Sequence, residues 1–237
     1  MCEPSETGSF KTAIAGITVM ADPDGVLVVP DAGVLVVSDL HFEKGSSYGA
    51  GGQLLPPYDT RTTLRRLAAA LARYRPHTVI ALGDSFHDFA ADARMDGADA
   101  DRLAELVAGT GRWIWIEGNH DPVPPPQFGG EVMHALDLAG LHFRHEPTPA
   151  DISLARGEIA GHLHPVAKVR GKGRALRRRC FATTGTRLIM PAFGAYTGGL
   201  NIRDIAYAKC LGRTPDALIM GRDKVWPVSG EVCVGDG

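Results

Sequence analysis

Short runs rich in Val and Ile recur along the chain, each four to nine residues long and each bounded by Gly, Pro, Asp or another polar residue. Read as strands, they cover 13–21, 25–29, 33–37, 77–82, 112–117, 131–136, 141–145 and 157–160. Between them, Leu64, Leu67, Ala68 and Leu71 follow the i, i+3, i+4, i+7 spacing, which predicts a helix over 60–74 that Pro76 closes. Leu103, Leu106 and Val107 predict a shorter helix over 99–108. Strands alternating with helices point to an α/β fold in which mixed sheets carry helices on the outside. The glycine-rich stretch 165–229 reads as several short strands with no assignable register. There is neither a repeat nor a low-complexity linker, so one domain is expected over 12–229, with 1–11 and 230–237 as loose termini.

The polar residues fall where the apolar runs stop. Ser38-Asp39-Leu40-His41 follows the third run, Gly83-Asp84-Ser85-Phe86-His87-Asp88 the fourth, and Gly118-Asn119-His120-Asp121 the fifth. His145-Glu146-Pro147 and Gly161-His162-Leu163-His164 follow the last two. Ligand sites of α/β sheets gather at the carboxyl ends of strands, so side-by-side strands would bring all five clusters to one edge. Taken singly, each cluster reads as a turn or a helix cap, and His142 competes with His145 for any role. Five of them in succession exceed what turn chemistry explains. Asp, His and Asn without a thiolate suit Mn²⁺, Fe or Zn²⁺. Two such cations about 3.5–4 Å apart, sharing a carboxylate, would relieve the crowding.

Charge adds one feature. The chain has 25 basic and 27 acidic residues, which excludes a generally basic nucleic-acid coat. Yet 168–179 (KVRGKGRALRRR) holds seven cations and no acid, leaving 18 basic against 27 acidic residues elsewhere. A basic run is often a solvated hairpin; beside a phosphoester site it becomes a candidate for phosphate-backbone contact. Phe181, Phe193 and Tyr196 are the nearby candidates for base stacking. The cysteines (Cys2, Cys180, Cys210, Cys233) are far apart and form no C-x-x-C pair, so neither a disulfide framework nor cysteine-ligated zinc is expected, and a cytoplasmic location fits. No apolar run reaches the roughly 18 residues of a membrane span. Residues 12–21 have the wrong flanking charges for a signal peptide and read as a strand.

DLHFEKG (39–45), LGDSFHD (82–88), GNHDP (118–122), HEP (145–147), AGHLHP (160–165), RRRCF (177–181) and PAFGAYTGGL (191–200) together resemble the calcineurin-like metallophosphoesterase superfamily. Within it they are most similar to bacterial ligase-associated DNA-damage-response endonucleases. The resemblance implies an α/β/β/α sandwich and a two-metal phosphodiesterase or nuclease acting on DNA, alongside a DNA ligase, a helicase and an exonuclease. Small or cyclic nucleotides are the alternative substrates. A catalytically silent DNA-binding subunit is a third reading, opposed by the filled ligand positions. By the same resemblance Asp39, His41 and His164 hold one metal, Asn119, His145 and His162 the other, and Asp84 bridges them. Mn²⁺ is the first choice of metal, with Fe or Zn²⁺ as alternatives. His120 takes the place of the catalytic histidine, oriented by His87 or Asp121. Many phosphatases of the superfamily carry Asp where His87 stands, and the GDxFH form resembles the repair-nuclease branch. Lys44, Arg177, Arg178 and Arg179 are the candidate substrate contacts. Glu43 is expected in a solvated loop, and Asp88 is weighed as a supporting hydrogen-bond partner. GAYTGGL reads either as a backbone-rich substrate wall or as a tight turn.

Overall fold

The computed structural model describes residues 8–50, 58–121, 123–171 and 173–236. Its first sheet takes its strands in chain order: β1 (Phe10–Ile14), β2 (Ile17–Ala21), β3 (Leu27–Val29), β4 (Val34–Val37), β5 (Thr78–Leu82), β6 (Arg112–Ile116) and β7 (Glu131–Met133). Pairing is antiparallel from β1 to β4 and parallel from β4 to β7. The second sheet contains β8 (Ala135–Leu138), β9 (Leu141–Arg144), β10 (Gly157–Ala160), β11 (Pro165–Gly171), β12 (Arg174–Thr183), β13 (Arg187–Ile189), β14 (Leu200–Asn201), β15 (Asp216–Met220) and β16 (Val225–Val228). Its order is β14-β11-β12-β13-β10-β9-β8, with β15 on β12 and β16 on β15. Among the described residues, five α-helices connect or cover the sheets: α1 (Lys44–Ala50), α2 (Asp59–Tyr74), α3 (Ala91–Arg94), α4 (Gly97–Ala108) and α5 (Ile205–Leu211).

The layering follows from strand periodicity. In β4 every residue is buried, but Val34 and Val36 face the core shared with the second sheet, while Leu35 and Val37 pack with the helices. The shared core joins Ile80, Leu82, Ile114 and Ile116 to Phe143, Ile159, Phe181 and Leu188. On the outside of the first sheet lie Leu64, Leu67 and Ala70 of α2 and Leu103 and Val107 of α4. Each buried leucine contributes roughly 1.5–3 kcal/mol. On the outside of the second sheet, Tyr207, Cys210 and Leu211 of α5 cover Ala167, Cys180, Ala182 and Ile219. The α/β/β/α sandwich expected from the resemblance is therefore the fold.

Three expectations change. The single strand over 13–21 is a hairpin that turns at Ala15 (φ 48°) and Gly16 (φ 85°). The run 131–136 is two strands: β7 ends the first sheet, the chain passes His134, and β8 begins the second. The termini expected to be loose are packed where they are described. Gly8 accepts a hydrogen bond from the Val225 amide, Cys233 is buried, and the Val234 amide donates to Lys168. Residues 1–7 and 237 of those termini, Lys172 of the basic strip and Pro122 of GNHDP lie outside the described residues. No described helix is long and apolar enough to cross a membrane.

Candidate metal centre

Parallel pairing aligns the carboxyl ends of β4, β5 and β6 in one sheet and of β9 and β10 in the other. Loop amides then tie the two sets together. The His162 amide donates to Asp39 Oδ2 and the His120 amide to Asp84 Oδ1, while Gly161 donates to the His145 carbonyl. The five clusters meet at one edge, as the strand ends predict.

Two groups of donors form there: Asp39, His41 and His164, and Asp84, His145 and His162, with the ligand atoms of each group within 4.8 Å of one another. Asn119 joins the second, its Oδ1 3.0 Å from both His145 Nε2 and His162 Nδ1. Asp84 lies between the groups, its Oδ2 3.4 Å from His145 Nε2 and 4.0 Å from His41 Nε2. The fit to cations shows in what the fold leaves unpaired. Asp39 Oδ1, both ring nitrogens of His41, and His164 Nε2 are buried without a formed hydrogen bond, although Asp39 Oδ1 and His164 Nε2 are 2.9 Å apart. Buried polar atoms are seldom left so, and an oxygen-and-imidazole set of this kind suits divalent cations.

The backbone is strained at the same residues. Asp39, His41, Asp84, His162 and His164 all have φ between 45° and 69°. The left-handed region costs a non-glycine residue about 1–2 kcal/mol, and such strain clusters at functional sites. Packing is close as well: a Cβ at Gly118 would sit 2.2 Å from the Asp84 nitrogen, and one at Gly161 2.1 Å from Ser38 Oγ.

Carboxylates and imidazoles of the cluster shift one another's protonation. Burial pushes the Asp84 carboxyl up, but the His145 hydrogen bond and charge and the His120 amide outweigh it and hold Asp84 well below the carboxylate range. Asp39 is lowered in the same way, burial being overcome by His164, His145 and His41. Burial alone would lower His145, yet hydrogen bonding to Asp84 and the charges of Asp39 and Asp84 raise it to about 9. Burial carries His41 down to about 3 and also lowers His162, which disfavours the charged form of both imidazoles.

Around this centre the remaining candidates separate. His120 is half-exposed, with Nε2 4.0 Å from Asp84 Oδ2, and its ring stacks on His87 (centroids 5.6 Å, 16°). Asp121 is engaged elsewhere: its buried Oδ2 accepts from the Ser85 and Phe86 amides at 2.8 and 3.0 Å. Burial, with Asp84 adding to it, raises Asp121 to about 7. Of the two residues considered for orienting His120, His87 is the one in ring contact. Asp88 accepts from Arg94 and from the Ala90 amide. Glu43 is buried rather than solvated, and its carboxylate accepts from Thr60 Oγ1.

Lys44 lines a groove of about 510 Å³ together with Tyr48, His162, His164, Tyr196, Gly198 and Gly199. Burial lowers its ammonium pKa despite the nearby Asp39 and Asp84. A second cavity, of about 250 Å³, touches the centre at Asn119 and His145 and is also lined by Glu117, His134, Arg144 and Glu146. The three arginines differ from one another. Arg179 donates to the carbonyls of Ala192, Gly194 and Thr197 and so pins the groove wall. Arg177 binds Asp236 and the Gly199 carbonyl. Arg178 is exposed on the opposite face, bonded only to the Arg177 carbonyl among the described residues. Phe181 and Phe193 are core residues, which leaves Tyr196 as the exposed member of the three aromatics. Tyr48 escaped the sequence reading because a short helix without apolar periodicity carries it.

A sandwich with this donor edge defines a metal-dependent phosphoesterase, a hydrolase of a class that binds two divalent metals. A family model described as calcineurin-like phosphoesterase matches residues 33–179, and the chain belongs to that family. The crystal structure of the Pseudomonas putida nuclease MPE is similar with a TM-score of 0.71 and 27% identity, over 93% of this chain and 100% of that one. Weaker likenesses are an Aquifex aeolicus protein of unknown function (TM-score 0.37, 17% identity, 59% of this chain, 81% of that one) and Yfce, a phosphoesterase from E. coli (0.42, 13%, 83% and 98%). No curated protein matches the chain.

Proposed function

We propose that the protein is a two-metal nuclease that hydrolyses phosphodiester bonds of DNA, with Mn²⁺ as the first choice of metal and Fe or Zn²⁺ as alternatives. The observation that carries this reading is the convergence of seven oxygen and imidazole donors on one strand-end edge, several with unpaired buried atoms. Asp39, His41 and His164 would hold one cation, Asn119, His145 and His162 the other, and Asp84 would reach both. Bound there, two divalent cations supply neutralisation of the phosphoryl oxygens and activation of water. His120, exposed at the rim, delivers a proton to the leaving oxygen, and His87 holds its ring in place by stacking. Lys44 supplies positive charge at the mouth of the groove. The likeness to the P. putida nuclease supports a nucleic acid as the substrate, and DNA is our reading of it. We place the catalytic domain over 12–229, flanked by the packed segments 8–11 and 230–236, and the protein in cytoplasmic DNA repair alongside a ligase, a helicase and an exonuclease.

The engagement of Arg177 and Arg179 within the fold favours one second reading, a phosphodiesterase or phosphatase for small or cyclic nucleotides. Plasmid, oligonucleotide, cyclic nucleotide and aryl diester, assayed side by side across Mn²⁺, Fe²⁺ and Zn²⁺, decide between the two. Cleavage of DNA is expected. Turnover of cyclic nucleotides with DNA left intact would establish the second reading instead.

A further inference from the structure

The groove beside the metal centre has a feature that phosphodiester chemistry alone does not require. Tyr48 lines it while 38% exposed, and its ring lies over His87 at 6.1 Å and 23°. His87 in turn stacks on His120, so three near-parallel rings run from the groove to the centre. Gly198 lines the same groove, and a Cβ built there meets nothing within 4 Å. The wall at that point is bare backbone facing open space, and it is held in place from behind by Arg179 on Thr197 and Arg177 on Gly199. Lys44 shares the cavity with His162 and His164, which puts a cation beside the proposed metal ligands. A flat aromatic face, a bare wall and a cation in a space of about 510 Å³ match a base, its sugar and the phosphate next to it.

We propose that this groove is a nucleobase subsite, in which the base of the nucleotide adjoining the scissile phosphate stacks on Tyr48 and its edge runs along Gly198. The proposal rests on the nuclease reading above and adds a residue that selects base-bearing substrate. Stacking on an aromatic side chain tolerates every base, so the subsite gives affinity and register without sequence preference.

The test compares two oligonucleotides with the same phosphate backbone, a thymidine oligomer and its fully abasic tetrahydrofuran counterpart. Affinities are measured by fluorescence anisotropy with the full-length protein in chelator, so that nothing is cleaved. The wild type should prefer the base-bearing oligomer by roughly 5- to 150-fold, the worth of one stacked base. Tyr48→Leu should erase most of that preference, and Tyr48→Trp should retain it. Gly198→Leu, whose Cβ meets no atom within 4 Å, places a side chain in the groove and should reduce it independently. If Tyr48 merely props His87, Tyr48→Leu would lower affinity equally for both oligomers and leave the preference intact. Equal wild-type affinities, or a preference undiminished in Tyr48→Leu, would overturn the subsite. A preference that depends on Tyr48 in a protein that cuts no DNA with added metal would keep the subsite and remove the nuclease reading.

Discussion

At the strand-end edge, both ring nitrogens of His41 are buried with no hydrogen-bond partner, and Asp39 Oδ1 and His164 Nε2 are buried with only each other, 2.9 Å apart. Along the β11–β12 hairpin, Arg177 and Arg179 donate hydrogen bonds to Asp236 and to the carbonyls of Gly199, Ala192, Gly194 and Thr197. Both regions are strongly polar and both stand out in the sequence. In the first, the fold fixes donors in strained backbone and leaves their lone pairs unused, which is the condition for taking a ligand. In the second, the charge is already neutralised or capped, and the arginines act as fasteners for the groove wall. Polarity alone therefore does not single out the candidate centre; what does is unsatisfied buried polarity gathered in one cluster of oxygen and imidazole donors.

The largest effect that sharpens this contrast is expected from His120→Ala. The side chain is half-exposed and lies outside the proposed ligand set, so kcat should fall by about 10²–10⁴-fold while metal content stays at the wild-type level. Depleted metal with near-normal kcat would move His120 into the ligand set. Next comes Arg179→Gln, which strips donors from at least three loop carbonyls. Urea unfolding should show a loss of about 2–3 kcal/mol, against less than about 0.5 kcal/mol for Arg178→Gln. Equal losses would erase the distinction between fastener and free cation.

A smaller effect concerns pH in the metal-free protein. His145 is raised in the fold to about 9 from its ordinary 6.5. Its stabilising contribution is complete below pH 6.5 and disappears as pH rises through 9. Chemical denaturation in chelator between pH 7 and 9.5 should show declining stability, and His145→Gln should flatten the curve. A curve of unchanged slope in the variant would mean that the proton sits elsewhere. The smallest effect separates the two exposed arginines. Arg178→Gln should reduce the log–log salt slope of DNA binding by up to about 0.9 on duplex, and Arg177→Gln, already paired with Asp236, should leave it near the wild-type value. The reverse order would mean that the tail carboxylate yields to phosphate.

Much of this was legible before any coordinates. The apolar runs ending in Asp, His or Asn mark β4, β5 and β6, whose residues are almost all buried, and the polar clusters after β9 and β10 mark those two strand ends. The helix expected over 60–74 is α2, which begins one residue earlier at Asp59, and 99–108 falls within α4, whose N-cap Asp96 starts it earlier. What stayed hidden depends on distant contacts. Nothing local announces that His134 carries the chain from one sheet to the other. The helix α5 is too short for a periodic signal, though Asp204 caps it. The positive φ of Asp39, His41, Asp84, His162 and His164 is imposed by the loops that meet there. Arg178 and Arg179 are adjacent in sequence, but strand alternation sends them to opposite faces, a difference that a count of charges cannot register. Tyr48 gains its significance only from its contact with His87.

The central claim is that one buried carboxylate serves two neighbouring donor groups, and elemental analysis of purified Asp84→Asn after Mn²⁺ loading and desalting tests it most directly. The wild type should carry two ions per chain. The variant should hold fewer than one, because both groups lose the same ligand, while Asp39→Asn should lose chiefly one. Two ions retained in Asp84→Asn would contradict the bridging role, and with it the account of the edge as a two-metal centre.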